Sequence, residues 1–248
     1  TKNIEKVIIC AASHHTGIKS LKSNNLYLQN INNINMKINL FEACKINKIK
    51  KIVWVSSSTA YQASGKIIKE KEINYNLPTY KIYRSTGLIY RFIEQMACYY
   101  REMFKLDINI IRTANIYGPQ DNFKKNQGHV IPSLISKALS KNKKLEVWGD
   151  PNVVRDFVFA EDLANACYKV LNFKKKNLTL NFSSGKAVKI KDLAKQILKS
   201  LKIKKQIKFQ KSKPSSAKYR VLNNDLFNFY FKNFVRTELK KGIQITSK

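Results

Sequence analysis

Two hydrophobic periods alternate along the first half of this chain, and that alternation restricts the folds open to it. Short β-branched runs are separated by longer stretches whose apolar residues recur at helical spacing. Val7-Ile8-Ile9-Cys10-Ala11-Ala12 is the first run, and its unbroken apolarity predicts a strand buried on both faces. From Ile31 to Cys44, the residues Ile34, Ile38, Phe41 and Ala43 fall at helical spacing. Ile52-Val53-Trp54-Val55 is the next run, ending in Ser56-Ser57-Ser58. Leu88 to Phe104 reads as a long amphipathic helix. Ile108-Asn109-Ile110-Ile111 is a further strand, closed by Tyr117-Gly118-Pro119. Strands alternating with helices predict a parallel sheet covered on both faces. Ligands on such a sheet bind beyond the carboxyl ends of its strands. Three polar clusters stand at those ends: Ala11 to Gly17, Ser56 to Tyr61, and Thr113 to Pro119. Their convergence predicts a single site.

Beyond Gly118 the pattern changes. Leu145-Glu146-Val147-Trp148, Phe157-Val158-Phe159 and Leu178-Thr179-Leu180-Asn181-Phe182 read as short strands. Ile131 to Leu139, Leu163 to Leu171 and Ile190 to Leu201 read as helices. The expected division is residues 1–118 for the sheet domain and 119–248 for a smaller α+β lobe, parts of which return to the sheet. The tail beyond Lys211 is polar and basic with weak periodicity.

The formal charge of +31 raises the question of nucleic-acid binding. The lysines are spread over every segment, and no nucleic-acid motif with interleaved aromatics is present, so a Lys-rich surface is the better reading. Such a surface attracts anionic ligands. No apolar stretch approaches the ~20 residues that span a bilayer, and Thr1 to Lys6 lacks the signature of a secretory signal. Cys10, Cys44, Cys98 and Cys167 are widely spaced, with no CxxC pair and no nearby His. Zinc is therefore not expected. Their apolar neighbours predict buried free thiols in a reducing cytoplasm.

Read in order, the polar clusters resemble the extended short-chain dehydrogenase/reductases, also called NAD-dependent epimerases/dehydratases. Val7 to Ala12 is similar to that family's fourth strand, which ends in an Ala pair beside the cofactor. Asn33 falls where the family keeps an Asn. Val55 to Tyr61 resembles its serine strand end, and Arg112-Thr113-Ala114-Asn115-Ile116-Tyr117-Gly118-Pro119 its R-x-x-N-x-Y-G-P. Arg155 to Asp162 resembles R-D-F-x-x-x-x-D, and Asn181 to Gly185 resembles N-x-x-x-G. Asp121-Asn122-Phe123, Gly128-His129-Val130-Ile131-Pro132 and Val147-Trp148-Gly149 are similar to the GDP-L-fucose synthase branch.

The resemblance implies a Rossmann-type doubly wound sheet, here incomplete at its N-terminal side, with a substrate lobe. It implies a bound NAD or NADP, a nucleotide-sugar substrate, and a homodimer through the Leu88–Phe104 helix. The family moves a hydride to or from a sugar carbon while a Tyr exchanges the hydroxyl proton. A Lys four residues later favours the phenolate, and a Ser hydrogen-bonds the reacting oxygen. Ser57 matches that Ser. The Tyr and Lys positions fall on Thr86 and Tyr90, so Tyr83 is the candidate Tyr, while Tyr80 and Arg84 form an out-of-register Tyr-x-x-x-Arg. His129 resembles an acid/base histidine of sugar epimerisation, whose partner cysteine is replaced by Thr59. Ala11, Ala12, Asn33, Ser56 and Asn115 are implied cofactor contacts. Ser58, Asn115, Trp148 and Arg155 are implied substrate contacts. His14 and His15 fall in a loop at the same strand end, and Asp162 reads as the cap of the helix beginning at Leu163.

The family's G-x-x-G-x-x-G turn, which meets the pyrophosphate at a helix N-terminus, is absent: no two of the eight glycines are three apart. Two expectations stay open. The chain is a fragment of such an enzyme, or a degenerate homologue that only binds a sugar nucleotide. A basic nucleic-acid-binding protein is the less favoured alternative.

Overall fold

The computed structural model describes residues 3–13, 26–123, 128–213 and 215–248. In chain order its elements are β1 (Lys6–Ile9), α1 (Leu26–Ile46), β2 (Lys51–Ser57), α2 (Arg84–Phe104), β3 (Ile108–Thr113), β4 (Asn115–Tyr117), α3 (Val130–Leu139), β5 (Lys144–Trp148), β6 (Val154–Arg155), β7 (Phe157–Phe159), α4 (Ala160–Leu171), β8 (Thr179–Phe182), β9 (Val188–Lys189), α5 (Ile190–Ser200), β10 (Gln206–Gln210), β11 (Tyr219–Arg220), α6 (Asp225–Tyr230) and α7 (Leu239–Thr246).

Strands β1, β2, β3 and β8 form a parallel sheet in that spatial order. Successive side chains of a strand point to opposite faces. Ile52 and Trp54 of β2 therefore pack with Phe41, Ile93, Ala97 and Tyr100 of α1 and α2. Val53, one residue out of phase, packs on the other face with Leu163, Ala166, Cys167 and Val170 of α4. This is the parallel sheet covered on both faces that the alternation predicted, and the Rossmann-type arrangement that the resemblance implied.

The expectation of a first strand buried on both faces is corrected. Regular structure in β1 stops at Ile9, and of its four residues only Ile9 is buried, while Ile8 is 38% exposed. Among the described residues β1 pairs with β2 alone, so it is the edge of this sheet.

The remaining strands build smaller ladders: β5 with β10 and β4 with β7 in parallel, and β6 between parallel β11 and antiparallel β9. Helices α3, α5 and α7 close a separate core on them through Ile131, Ile135, Leu193, Ile197 and Ile243. The helix after β7 begins at Ala160, so Asp162 lies inside its first turn and does not cap it. Its carboxylate accepts instead from the Thr237 amide at 2.7 Å and the Thr237 hydroxyl at 2.8 Å, tying α4 to the tail. Among the described residues no helix is long and apolar enough to cross a membrane.

Candidate active site

A cavity of about 480 Å³ opens beyond the carboxyl ends of β1, β2 and β3. Ala11, Ala12 and Asn33 line it from the β1 side, and Ser56, Ser57 and Ser58 from the end of β2. Tyr83, Asn115, His129, Trp148 and Arg155 also line it. The structure thus brings these residues to one cavity, although they lie far apart in the sequence. His14 and His15 lie outside the described residues.

The serine end of β2 is shaped by a short 3-10 turn, Ser58–Ala60. Ser57 caps it: its Oγ accepts from the Thr59 amide at 3.2 Å and from the Thr59 hydroxyl at 2.9 Å. Accepting twice leaves the Ser57 hydroxyl proton to be donated. The turn is pressed by α2 at Gly87, where a Cβ would come within 2.5 Å of the Thr59 carbonyl oxygen. Only a residue without a side chain fits there.

Ser56 has a different task. Its hydroxyl donates to Glu94 at 2.5 Å. Glu94 also receives Arg112 through three contacts, the shortest 2.7 Å. Arg112 continues to the Tyr61 hydroxyl at 2.9 Å, which donates to Asn181 at 2.6 Å. Burial opposes the charge of Arg112, but Glu94 and Tyr61 outweigh it and hold its pKa above the ordinary value. The arginine of the R-x-x-N motif therefore locks α2, β2, β3 and β8 together beneath the cavity floor.

Asn33 braces the loop after β1. Its side-chain oxygen accepts from the Ser13 amide and its nitrogen donates to the Ser13 carbonyl, each at 2.8 Å. One turn further along α1, Lys37 donates to the Ala11 carbonyl and is almost fully buried. Its pKa is lowered, first by burial.

Tyr83 stands immediately before α2. Arg220 stacks on its ring at 4.7 Å, and the charge of Arg155 also acts on its hydroxyl. Burial works to raise the phenol pKa, but Arg220 and then Arg155 overcome it and lower the value. Thr86 and Tyr90, the positions to which the Tyr–Lys pair was counted, do line the cavity. Tyr90 stacks on Trp54 at 6.2 Å and burial raises its pKa, as in a packed aromatic. Tyr80 points elsewhere and donates to the Tyr219 carbonyl at 3.0 Å. Arg84 is exposed.

Arg155 and Arg220 are 3% and 9% exposed. Arg155 donates to the Val154 carbonyl at 2.6 Å and to Ser216 and the Ala217 carbonyl. Arg220 donates to the Asn115 side-chain oxygen, while its Nε and Nη1 are buried with no partner. The Asn115 nitrogen donates to the Asp156 carbonyl at 2.7 Å, so this residue is held from both sides. Burial, then the neighbouring charge of Arg220, lowers the Arg155 pKa to about 10. Two buried like charges are thus held together at the cavity wall. Arg220 escaped the sequence reading because β11 is two residues long and sits in a tail without periodicity.

His129 precedes α3, its side chain 44% exposed and its Nδ1 3.7 Å from Asp121. Lys137 and Lys213 approach the Trp148 ring at 4.8 and 5.8 Å. Thr113 adds a buried hydroxyl with no partner.

The family model described as "NAD dependent epimerase/dehydratase family" matches residues 1–182. The GDP-L-colitose synthase of Yersinia pseudotuberculosis is 30% identical over 230 residues, which cover 87% of this chain and 72% of that one. A GDP-L-fucose synthetase from Naegleria fowleri, solved bound to NADP, superposes with a TM-score of 0.86 at 20% identity, covering 98% of this chain and 75% of that one. UDP-glucose 4-epimerase of Thermotoga maritima, solved with UDP-glucose, gives 0.85 at 19% identity, with 98% and 76% covered. With the motif order, the parallel sheet and a site at its carboxyl ends, these matches place the chain: it belongs to the NAD dependent epimerase/dehydratase family.

Proposed function

We propose that this protein is an NAD(P)-dependent nucleotide-sugar epimerase, dehydratase or reductase, similar to the GDP-L-fucose synthases. The observation that carries the reading is the pair of buried arginines, Arg155 and Arg220, beside one cavity. Two desolvated guanidiniums, one with two unpartnered nitrogens, call for an anion. A diphosphate supplies it with paired oxygens that match guanidinium geometry. Trp148 offers a face for the nucleotide base, and Asn115 and Ser58 stand where the sugar would lie.

The residues at the β1 and β2 ends fit the nicotinamide half of a dinucleotide. Ala11 and Ala12 leave room at the strand end, Asn33 fixes their loop, and Thr113 presents an unpartnered hydroxyl. When bound, the dinucleotide supplies a hydride acceptor or donor. Ser57 orients the reacting sugar oxygen, Tyr83 holds or releases its proton under the field of Arg220, and His129 handles a carbon-bound proton. We assign residues 1–118 mainly to the cofactor domain and 119–248 mainly to the substrate lobe. The protein works as a homodimer in the cytoplasm: α2 leaves Leu88, Phe92, Tyr99 and Met103 exposed along one stripe beside exposed Leu28 and Ile31 of α1.

A second reading rests on Thr86 and Tyr90. Where the family sets its Tyr and Lys, this chain presents no acid–base pair, which favours a homologue that binds a sugar nucleotide without turning it over. Calorimetric titration with GDP-mannose, UDP-glucose and NADPH, followed by turnover assays of Ser57→Ala and Tyr83→Phe, decides between them. Binding with turnover that falls in both variants supports the enzyme. Binding with no turnover supports the second reading, and binding of nucleic acid alone sinks both.

A further inference from the structure

We propose that Lys37 forms a second anion seat in the cavity, beside the end of β1, that takes a phosphate group. Three side chains of α1, spaced four residues apart, reach the segment that follows β1. Gln29 donates to the Ser13 carbonyl at 3.0 Å, Asn33 makes its two hydrogen bonds to Ser13 at 2.8 Å, and Lys37 donates to the Ala11 carbonyl. All three line the cavity. Two of these braces are neutral amides, and holding a backbone carbonyl requires no charge. The third is an ammonium on a side chain only 4% exposed. Burying it carries a desolvation cost that an opposite charge normally offsets.

No carboxylate side chain of the protein supplies that charge. Among the described residues no Asp or Glu forms an ion pair with Lys37. The residues outside the described ranges include neither acid, so none of them can provide it. The exposed Cys10 thiol favours the ammonium when ionised, but burial outweighs it and the Lys37 pKa stays below the ordinary value. An ammonium carries three donors. One is used on the Ala11 carbonyl, and a second meets only the Met36 sulfur at 3.8 Å. At least one strong donor is left for a ligand in the cavity that Lys37 lines.

This cation is distinct from the two arginines. Lys37 belongs to α1 and sits with Ala11, Ala12 and Asn33, whereas Arg155 and Arg220 belong to β6 and β11. One cavity thus draws positive charge from two separate parts of the fold, and it can take two anionic groups at once. A phosphate oxygen accepts from an ammonium in a charge-assisted hydrogen bond, and Lys binds phosphate as a point charge. On the function proposed above, the phosphate is that of the dinucleotide, whose end of the cavity this is. The seat itself asks only for a phosphate, so free phosphate shares the chemistry and serves as a separate probe.

Lys37→Gln removes the charge and keeps a donor for the Ala11 carbonyl; Lys37→Met, with a similar stem and no donor, is the second variant. Calorimetric titration with NADPH should show affinity reduced roughly 10-fold or more in both, as for one lost charge-assisted hydrogen bond, with GDP affinity held within about twofold. Inorganic phosphate gives a probe that does not depend on the dinucleotide. In an Arg220→Met background, millimolar phosphate should raise the thermal unfolding midpoint, and adding Lys37→Gln should remove most of that rise. Phosphate held through Lys37 in a protein that ignores NADPH would keep the seat and sink the cofactor reading. NADPH bound equally well by the unmodified protein and both variants would overturn the seat and leave the cofactor reading intact. A phosphate response that does not change with Lys37 would also overturn it. So would a ligand-free midpoint that drops in Lys37→Gln while every affinity holds, since that marks a structural brace.

Discussion

Arg112 lays its guanidinium against both carboxylate oxygens of Glu94, 2.7 Å from the nearer, with the two side chains only 4% and 1% exposed. Removing one member of such a pair strands the other as a buried charge. Glu94→Ala should therefore cost about 3–5 kcal/mol of stability. Urea unfolding measures it. The double variant Glu94→Ala, Arg112→Met should recover part of the loss, because no buried charge remains. A loss below about 1 kcal/mol would show that water reaches the pair.

On the proposed function, Arg220 serves ligand at the expense of the free fold. Arg220→Met should weaken binding of a nucleoside diphosphate by roughly 10–100-fold, the worth of one or two charge-assisted hydrogen bonds. The same change relieves two unpartnered nitrogens and the repulsion with Arg155. The unfolding midpoint without ligand should therefore hold or rise. Calorimetry and thermal unfolding on the same samples check both halves. Unchanged affinity would remove Arg220 from the diphosphate seat.

Tyr83 has its phenol pKa lowered in the fold by Arg220 and Arg155 against the effect of burial. A group whose folded pKa lies below its unfolded value of about 10 adds stability as pH rises through the folded value, and loses that contribution as pH falls. If Tyr83 acts as the base, kcat/KM should rise along an alkaline limb set by that lowered pKa. Arg220→Met should move the limb to higher pH, and Tyr83→Phe should abolish it. A pH profile that is the same in all three proteins would exclude Tyr83 from proton transfer.

Much of the sheet is legible in the sequence, because β2 and β3 are central and their continuous apolar runs have one outlet. β1 is not, since Val7-Ile8-Ile9 looks the same at an edge as in the middle; burial depends on neighbours, and the run does not encode them. Asp162 reads as a cap because its distant partner, Thr237, leaves no local trace. Ser57 and Asn115 sit at strand ends that the alternation marks, whereas Arg155, in the two-residue β6, could be named only through the resemblance of its motif. Arg220 could not, because a two-residue strand has no period and its role depends on pairing with β6. The exposure of Cys10 was hidden by its apolar neighbours, which end as an edge and not as a core.

The stripe on α2 gives a test of assembly. Phe92 is 44% exposed at its centre. Phe92→Lys should leave the monomer folded and convert a dimer to a monomer in light scattering, since a charge there would have to be desolvated in the interface. An unmodified protein that runs as a monomer at high concentration would set the homodimer aside.

Asn115 and Arg220 meet across 105 positions of sequence. A ribosome delivers them in that order, at about 5–20 residues per second, so roughly 5–20 s separate the two. During that interval the nascent chain can hold its serine turn and Asn115 but lacks the cation that closes the pair. On the proposed function, capture of the anion would wait until β11 has emerged and found β6. A nucleotide sugar, binding only after this docking, would act as a late clamp on newly made chains and draw the last-made segment into place by mass action.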